Sequence, residues 1–215
     1  ADKPIWNTLA TVGLIAIALP FALYAAEKGF RLTDPDERAT SRFFDDEALA
    51  ASAMLYLHMA TGALITEFAP VQMSRVIRDR WPYIHRVSGY LIVTAAGTTA
   101  LAGLFYIARL GAIGGPVMDA GFALYGGLML LSAWQTVGYG RKRHPLHFLW
   151  AGRLIILSLA SWLYRVHFGV WELAAGGLGS RPDFSGPFDQ VQVFAFYLPY
   201  LVVHHYWWHR RHVGM

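Results

Sequence analysis

The chain has 215 residues, of which 55% are hydrophobic and only 15% are charged. A soluble domain carries about 25% charged residues, so this composition excludes an ordinary soluble protein and predicts one membrane domain with no appended soluble catalytic domain. Cysteine is absent, which excludes disulfides, thiolate ligands and iron–sulfur clusters, and the net charge of +4 is spread along the chain in a way that does not indicate nucleic-acid binding.

Six long apolar segments predict six membrane-spanning helices, because about 20 apolar residues are needed to cross the hydrocarbon core of a bilayer. Proline and glycine residues separate these segments from one another. The predicted spans are residues 5–26, 48–70, 84–108, 117–138, 146–171 and 189–208. We therefore expect an all-α fold, a polytopic membrane helix bundle with six transmembrane helices in a single domain over residues 1–215.

The first apolar segment has the length of a spanning helix rather than that of a secretory signal peptide. Only Lys3 precedes it as a basic residue, and no small-residue cleavage site follows it cleanly. We expect this segment to be retained as the first span.

Small residues are concentrated in the third predicted span, where they would let neighbouring helices approach closely. They are Ala95, Ala96, Gly97, Ala100, Ala102 and Gly103. This pattern favours a packed bundle, and nothing in it requires a pore.

Lysine and arginine are distributed unequally between the two ends of the predicted spans. One side holds Lys3, Arg75, Arg78, Arg80, Arg86, Arg141, Lys142, Arg143, Arg210 and Arg211, and the other holds Lys28, Arg31, Arg38, Arg42, Arg109 and Arg181. Basic residues are retained preferentially in the cytoplasm, so we place both termini there. The opposite orientation stays open at this stage.

Ionisable side chains at membrane depth are costly and usually have a functional or structural reason to be there. The residues of this kind are His58, Glu67, His85, His147, Arg153, Arg165 and His167. Imidazoles on facing helices of a bundle are suitable axial ligands for b-type haem iron. His85 and His147 begin the third and fifth spans on the same side, so they form the favoured ligand pair.

A second pair of histidines matches less well in depth. His58 lies about ten residues into the second span, which corresponds to about 15 Å, and His167 lies twenty residues beyond His147, or about 30 Å away. His167 is therefore interpreted either as a member of a cofactor site or as a histidine at the membrane interface. A histidine at the start of a helix, such as His85 or His147, can also be structural, since it can cap the helix or reach the headgroups.

The two arginines of the fifth span can pair with acidic groups. Arg153, a turn and a half after His147, can bind a haem propionate or a buried acid, and Glu67 is a candidate partner. Arg165 is placed in the same cofactor site. Structural ion pairing would explain these three residues equally well.

Other histidines give weaker signals. His204, His205, His209 and His212 are expected to form a solvated, lipid-facing tail, with an adventitious metal-binding patch as the alternative. His144 and His147 form an HxxH pair that lacks further metal ligands. No catalytic triad, phosphate-binding glycine loop or zinc-protease motif is present in the sequence.

Three ordered motifs carry a resemblance to a known family. They are His58-Met-Ala-Thr-Gly62, His85-Arg86-Val-Ser-Gly89-Tyr90, and His147-Phe-Leu-Trp150-Ala-Gly-Arg153 followed by Leu163-Tyr164-Arg165. Over residues 50–170 the chain resembles the bacterial multi-pass membrane proteins of domain of unknown function 2306. The resemblance implies a bacterial inner-membrane protein and lends no settled activity.

A looser resemblance links the histidine-bearing spans to transmembrane di-haem cytochromes b, which move electrons from ascorbate or quinol to an acceptor. It implies haem b and a quinone or other redox partner, although the spacing of paired ligand histidines on one helix is absent here. The leading hypothesis is an inner-membrane haem protein in electron transfer or quinone reaction. One alternative is a non-catalytic accessory subunit of a larger membrane complex that binds lipid, quinone or pigment. Another is a small proton-coupled transporter, in which Glu67, His58 and the arginines would form a proton or anion relay.

Overall fold

The computed structural model describes residues 4–41 and 43–212, and these residues form helices and connecting turns without any β-strand. The helices are α1 (Pro4–Phe30), α2 (Pro35–Thr40), α3 (Leu49–Phe68), α4 (Arg75–Arg80), α5 (Pro82–Leu110), α6 (Pro116–Arg141), α7 (Leu146–Ala175), α8 (Pro187–Ala195) and α9 (Leu198–His212). Short 3₁₀ turns over Arg31–Thr33 and Ala69–Met73 follow α1 and α3. Lys3 and Arg42, two of the charges used for the orientation, lie outside the described residues.

Five stretches of the described chain are helical, long and apolar enough to cross a membrane. They are Thr8–Thr33, Leu49–Met73, Pro82–Leu110, Pro116–Arg141 and Leu146–Ala175. The all-α prediction is confirmed, and these stretches correspond to the first five predicted spans. This is the architecture of a multi-pass membrane protein.

The sixth predicted span is not one helix. Helix α8 ends at Ala195, Phe196 and Tyr197 form a turn, and α9 begins at Leu198. Pro199 explains the break, because proline has no N–H to donate and its ring clashes with the carbonyl four residues earlier, whereas it is tolerated in a first helical turn. Six spans are therefore not confirmed, and the polar residues of α9 make it much less apolar than the other long helices.

The chain divides into two compact units, Ala1–Gly103 and Leu104–Met215, with the boundary inside α5. In the first unit α1 packs closely on α3, and a Cβ added at Gly29 would lie 2.5 Å from the backbone nitrogen of Ala60. Glycine at this contact lets the two helix backbones approach each other.

A buried carboxylate joins three helices of the first unit. Glu37 of α2 is only 4% exposed. It accepts hydrogen bonds from Lys28 Nζ of α1 at 2.8 Å and from the Tyr56 hydroxyl of α3 at 3.0 Å. The bond from Lys28 lowers the pKa of the Glu37 carboxyl below its ordinary value.

In the second unit an aromatic cluster joins α6 and α7 to the turn between α8 and α9. Its members are Phe122, Tyr125, Tyr164 and Phe196. The centroid of the Phe196 ring lies 5.0 to 6.2 Å from the centroids of the other three rings. The buried Tyr197 hydroxyl donates to the Gly121 carbonyl of α6 at 3.1 Å. This turn is therefore anchored in the interior of the unit, and it fixes where α9 starts.

The loop before α8 is held by one fully buried acid. Asp189 accepts hydrogen bonds from the Ser180 hydroxyl at 2.7 Å and from the backbone N–H groups of Arg181 and Gly186, each at 3.0 Å. The carboxylate satisfies loop donors and stands in the first turn of α8, where the helix dipole favours a negative charge.

We predict that Glu37 gives the first unit an acid-sensitive stability. When folding lowers the pKa of a carboxyl, its contribution to stability is complete at pH values above the ordinary glutamate pKa of about 4.3. This contribution is lost as the pH falls through the lower pKa of the folded protein. Thermal unfolding in detergent should therefore show a melting temperature that falls over this acidic range. Glu37→Gln should melt lower than the natural protein at neutral pH and show a flatter pH profile. Identical pH profiles for the two proteins would contradict this account of Glu37.

Candidate functional site

His58 of α3 contacts α5 inside the first unit. Its Nδ1 lies 2.8 Å from the Thr99 carbonyl oxygen. The ring also lies against Gly103, where an added Cβ would be 2.8 Å from Nδ1. Thr99 and Gly103 are four residues apart and thus share one face of α5, so the carbonyl partner and the space for the ring come from the same face.

His147 of α7 contacts α6 in the same way inside the second unit. Its Nδ1 lies 3.0 Å from the Thr136 carbonyl oxygen. A Cβ added at Gly140, four residues after Thr136, would lie 3.0 Å from Nδ1. We call each arrangement a histidine dock: His58 with Thr99 and Gly103, and His147 with Thr136 and Gly140.

The threonines of the two docks are also alike. Each hydroxyl donates to the carbonyl four residues earlier in its own helix, Thr99 to Ala95 at 2.8 Å and Thr136 to Ser132 at 2.6 Å. The Thr99 hydroxyl also lies 2.7 Å from the Thr61 hydroxyl of α3. Each threonine carbonyl, which has two lone pairs, accepts from the histidine.

The docks determine the tautomer of a neutral imidazole. A carbonyl oxygen can only accept a hydrogen bond, so Nδ1 carries the proton and Nε2 carries the lone pair. An Nδ1–H bond to a backbone carbonyl is the contact that commonly orients a metal-bound histidine and raises its basicity. Both half-buried rings are thus held in the chemical form that can bind iron through Nε2.

His85 lies near the start of α5 and is half-buried, with its Nδ1 atom inaccessible to solvent. It belongs to the first unit and His147 to the second. Their pairing as axial ligands stays a prediction.

His167 is hydrogen-bonded through both ring nitrogens. Nδ1 lies 2.7 Å from the Gln192 side-chain amide nitrogen of α8, and Nε2 lies 2.7 Å from the Tyr200 hydroxyl of α9. The ring stacks on Tyr200 with a centroid distance of 5.9 Å. In this structure His167 links α7 to α8 and α9, and its proposed place in a cofactor site stays a prediction.

Arg153 is half-buried on α7 and contacts an aromatic ring and a histidine. Its guanidinium carbon lies 4.4 Å from the centroid of the Trp150 ring. Its Nη2 donates to His205 Nδ1 at 2.8 Å, which requires that nitrogen to carry a lone pair. Glu67, its predicted partner, belongs to the first unit, so that pairing also stays a prediction.

The two remaining ionisable residues of the predicted site differ in their surroundings. Arg165 is exposed and donates to the Ser161 carbonyl at 2.9 Å, one turn earlier in α7. The Oε2 atom of Glu67 is buried and has no hydrogen-bond partner among the described residues. An unsatisfied buried carboxyl oxygen is uncommon in native proteins and marks Glu67 as a position worth testing.

The prediction of a solvated histidine tail is wrong for part of α9. His204 is half-buried, and its Nε2 would lie 2.5 Å from a Cβ added at Gly152 of α7. His205 binds Arg153, while His209 is exposed and the side chain of His212 lies outside the described part. Within residues 4–41 and 43–212 no group of three or more histidine and acidic side chains is arranged to hold a metal ion.

Comparison with known proteins gives no match: no family model, no curated protein and no solved structure is similar to this chain. The resemblance to domain of unknown function 2306 therefore stays a prediction.

We predict that alanine at Gly103 disturbs the first dock. The added Cβ would overlap the His58 ring, which is tied to Thr99, and overpacking of this kind costs about 1–3 kcal/mol. Gly97→Ala is the matched control in α5, because a Cβ there meets nothing within 4 Å. Equilibrium unfolding in mixed micelles should show Gly103→Ala destabilised and Gly97→Ala unchanged or slightly more stable. Equal effects of the two substitutions would argue against a tight dock at His58.

Proposed function

We propose that this protein is an integral membrane protein that binds b-type haem and takes part in electron transfer or in a reaction with quinone. The observation that supports the proposal is the pair of histidine docks. Each places an imidazole on an apolar helix, hydrogen-bonds its Nδ1 to a backbone carbonyl, and directs the lone pair to Nε2. Haem, when bound, would supply the one-electron chemistry.

The residues of the chain have separate tasks in this proposal. His147 is the first candidate for an axial ligand, since it was selected from the sequence and has the dock geometry. Thr136 would hold its ring and maintain its basicity, and Gly140 would leave room for the ring. His58 has the same dock geometry in the other unit. His85 is the second axial ligand that the sequence predicts, because it begins the third span on the same side as His147.

A structural role for the docks would use the same hydrogen bonds but not Nε2. A polar ring on an apolar helix needs a partner, and the threonine carbonyl provides one whether or not iron is bound. The two possibilities differ in whether removal of the imidazole removes haem, and in whether a free imidazole can replace it.

We predict that His147→Gly, purified from cells supplied with haem, loses most of its haem. The haem-to-protein ratio of Gly140→Ala should also fall, because the added Cβ would push the ring away from the Thr136 carbonyl, and loss of such an orienting contact lowers metal affinity by about 10–100-fold. Imidazole added during purification should restore haem to His147→Gly, since it can occupy the vacated ring position. His144→Ala is the control, because His144 is exposed and lies three residues before His147.

The outcomes of that experiment are distinct. Loss of haem from His147→Gly with rescue by imidazole supports ligation by His147. Full retention of haem in His147→Gly would exclude His147 as a ligand, and His58→Gly and His85→Gly, treated in the same way, would then test the remaining histidines. Absence of haem from the natural protein, purified from cells supplied with haem, would contradict the proposal.

We infer further that the protein lies in a bacterial inner membrane with both termini in the cytoplasm, which requires α8 and α9 together to complete a sixth crossing after the five long helices. The excess of arginine and lysine in the segments after the second and fourth predicted spans supports this orientation. The segment between α6 and α7 would then be cytoplasmic, and the segment between α7 and α8 would face the periplasm.

The natural absence of cysteine makes this orientation testable with single introduced thiols. We predict that a membrane-impermeant maleimide added to intact spheroplasts labels Leu178→Cys, whose position is 71% exposed, but not Lys142→Cys. Labelling of both after the membrane is permeabilised is the control for accessibility. The reverse pattern in intact spheroplasts would establish the opposite orientation.

A further inference from the structure

An open groove lies between α7 and α9 in the second unit, and its volume is about 520 Å³. It is lined by Ile156, Pro199, Tyr200, Val203, His204 and Trp207. Most of these side chains are apolar, and Val203 and Trp207 are 66% and 53% exposed. Because α7 is long and apolar enough to span a membrane, a groove on its surface is accessible to lipid chains.

An arginine without a carboxylate partner among the described residues lies on α7 close to the residue that lines the groove there. Arg153 precedes Ile156 by about one turn of α7. It stacks on Trp150 and donates to His205, and no ion pair formed by the described residues includes it. Stacking on an aromatic ring and bonding to a neutral imidazole leave the positive charge in place.

A second arginine lies beside the groove on α9. The guanidinium carbon of Arg211 is 3.2 Å from the centroid of the Trp207 ring, and Trp207 lines the groove. Arg211 follows His205, the partner of Arg153, by six residues, which is about 9 Å along a helix. The apolar groove therefore has two cations associated with it and no acidic side chain in its lining.

We propose that this groove is a binding site for an anionic phospholipid. One acyl chain would lie against Ile156, Val203 and Trp207, and the phosphate would accept hydrogen bonds from Arg153, whose guanidinium matches a phosphate in geometry. Arg211 adds positive charge at the headgroup. None of the residues that line the groove belongs to a histidine dock, so the proposal does not depend on haem binding.

The charge of the groove selects this occupant over others. An uncharged quinone would leave the half-buried charge of Arg153 without a compensating anion, which is costly. A zwitterionic lipid also brings a phosphate, but its own headgroup cation would lie near Arg153 and Arg211 and offset the attraction. Free inorganic phosphate would leave the apolar lining uncovered. An amphiphile with a negative headgroup satisfies both parts of the site.

The proposal is tested by native mass spectrometry of the full chain in detergent, titrated with phosphatidylglycerol or with phosphatidylcholine of the same acyl chains. We expect tighter binding of phosphatidylglycerol, and Arg153→Gln should weaken it about fivefold, as expected for one arginine at an anionic lipid surface. Phosphatidylcholine, which carries the same phosphate but no net charge, should bind more weakly than phosphatidylglycerol and lose less affinity in this variant. Arg109→Gln is the matched control, because Arg109 also stacks on an aromatic ring, Phe105, but lies on α5, which contributes no residue to the groove.

A second variant tests the apolar part without altering charge. Val203→Trp should fill the groove and weaken phosphatidylglycerol binding, whereas added inorganic phosphate should not compete with the lipid. Equal affinity of the natural protein for the two lipids, or an unchanged preference in both Arg153→Gln and Val203→Trp, would overturn the proposal. Loss of haem from Arg153→Gln with the lipid preference intact would also overturn it and would assign Arg153 to a haem propionate.

Discussion

An imidazole on an apolar helix must find a hydrogen-bond partner where water is scarce. His58 and His147 find one in a threonine carbonyl of the neighbouring helix, and a glycine four residues further along provides the space for the ring. The helix contact, the ring orientation and the tautomer are thus determined by one interaction. The haem proposal depends on it, since a ring bonded through Nδ1 has its lone pair on Nε2.

Much of the fold could be predicted because a membrane-spanning helix needs a long run of apolar residues, which is visible in the sequence. The five long helices lie close to the predicted segments, and Gly103 is at a close contact as its small size suggested. The prediction of one sixth helix is wrong because it rests on the average hydropathy of the segment, which does not register Pro199. This proline divides the segment into α8 and α9. Small size alone does not specify a contact either, since Gly97 meets nothing within 4 Å.

The site could be predicted only as a set of ionisable side chains on the apolar spans, without their partners. The sequence indicates His58 and His147 because a polar ring is costly on an apolar helix, but the identity of their partners is a property of tertiary packing. Nothing in the sequence pairs His58 with Thr99, or joins His167 to Gln192 and Tyr200. The sequence predicts an acidic or propionate partner for Arg153, whereas its guanidinium stacks on Trp150 and binds His205 of α9. These contacts depend on how α9 packs, which the sequence pattern does not specify.

The central claim is that this membrane protein binds haem through imidazole, and the visible absorption spectrum of the natural protein tests it most directly. Protein purified from cells supplied with haem should show a Soret band as isolated and sharp α and β bands of low-spin haem b after reduction with dithionite, at a stoichiometric level. A flat visible spectrum under the same conditions would contradict the account. The histidine docks would then be structural contacts between helices.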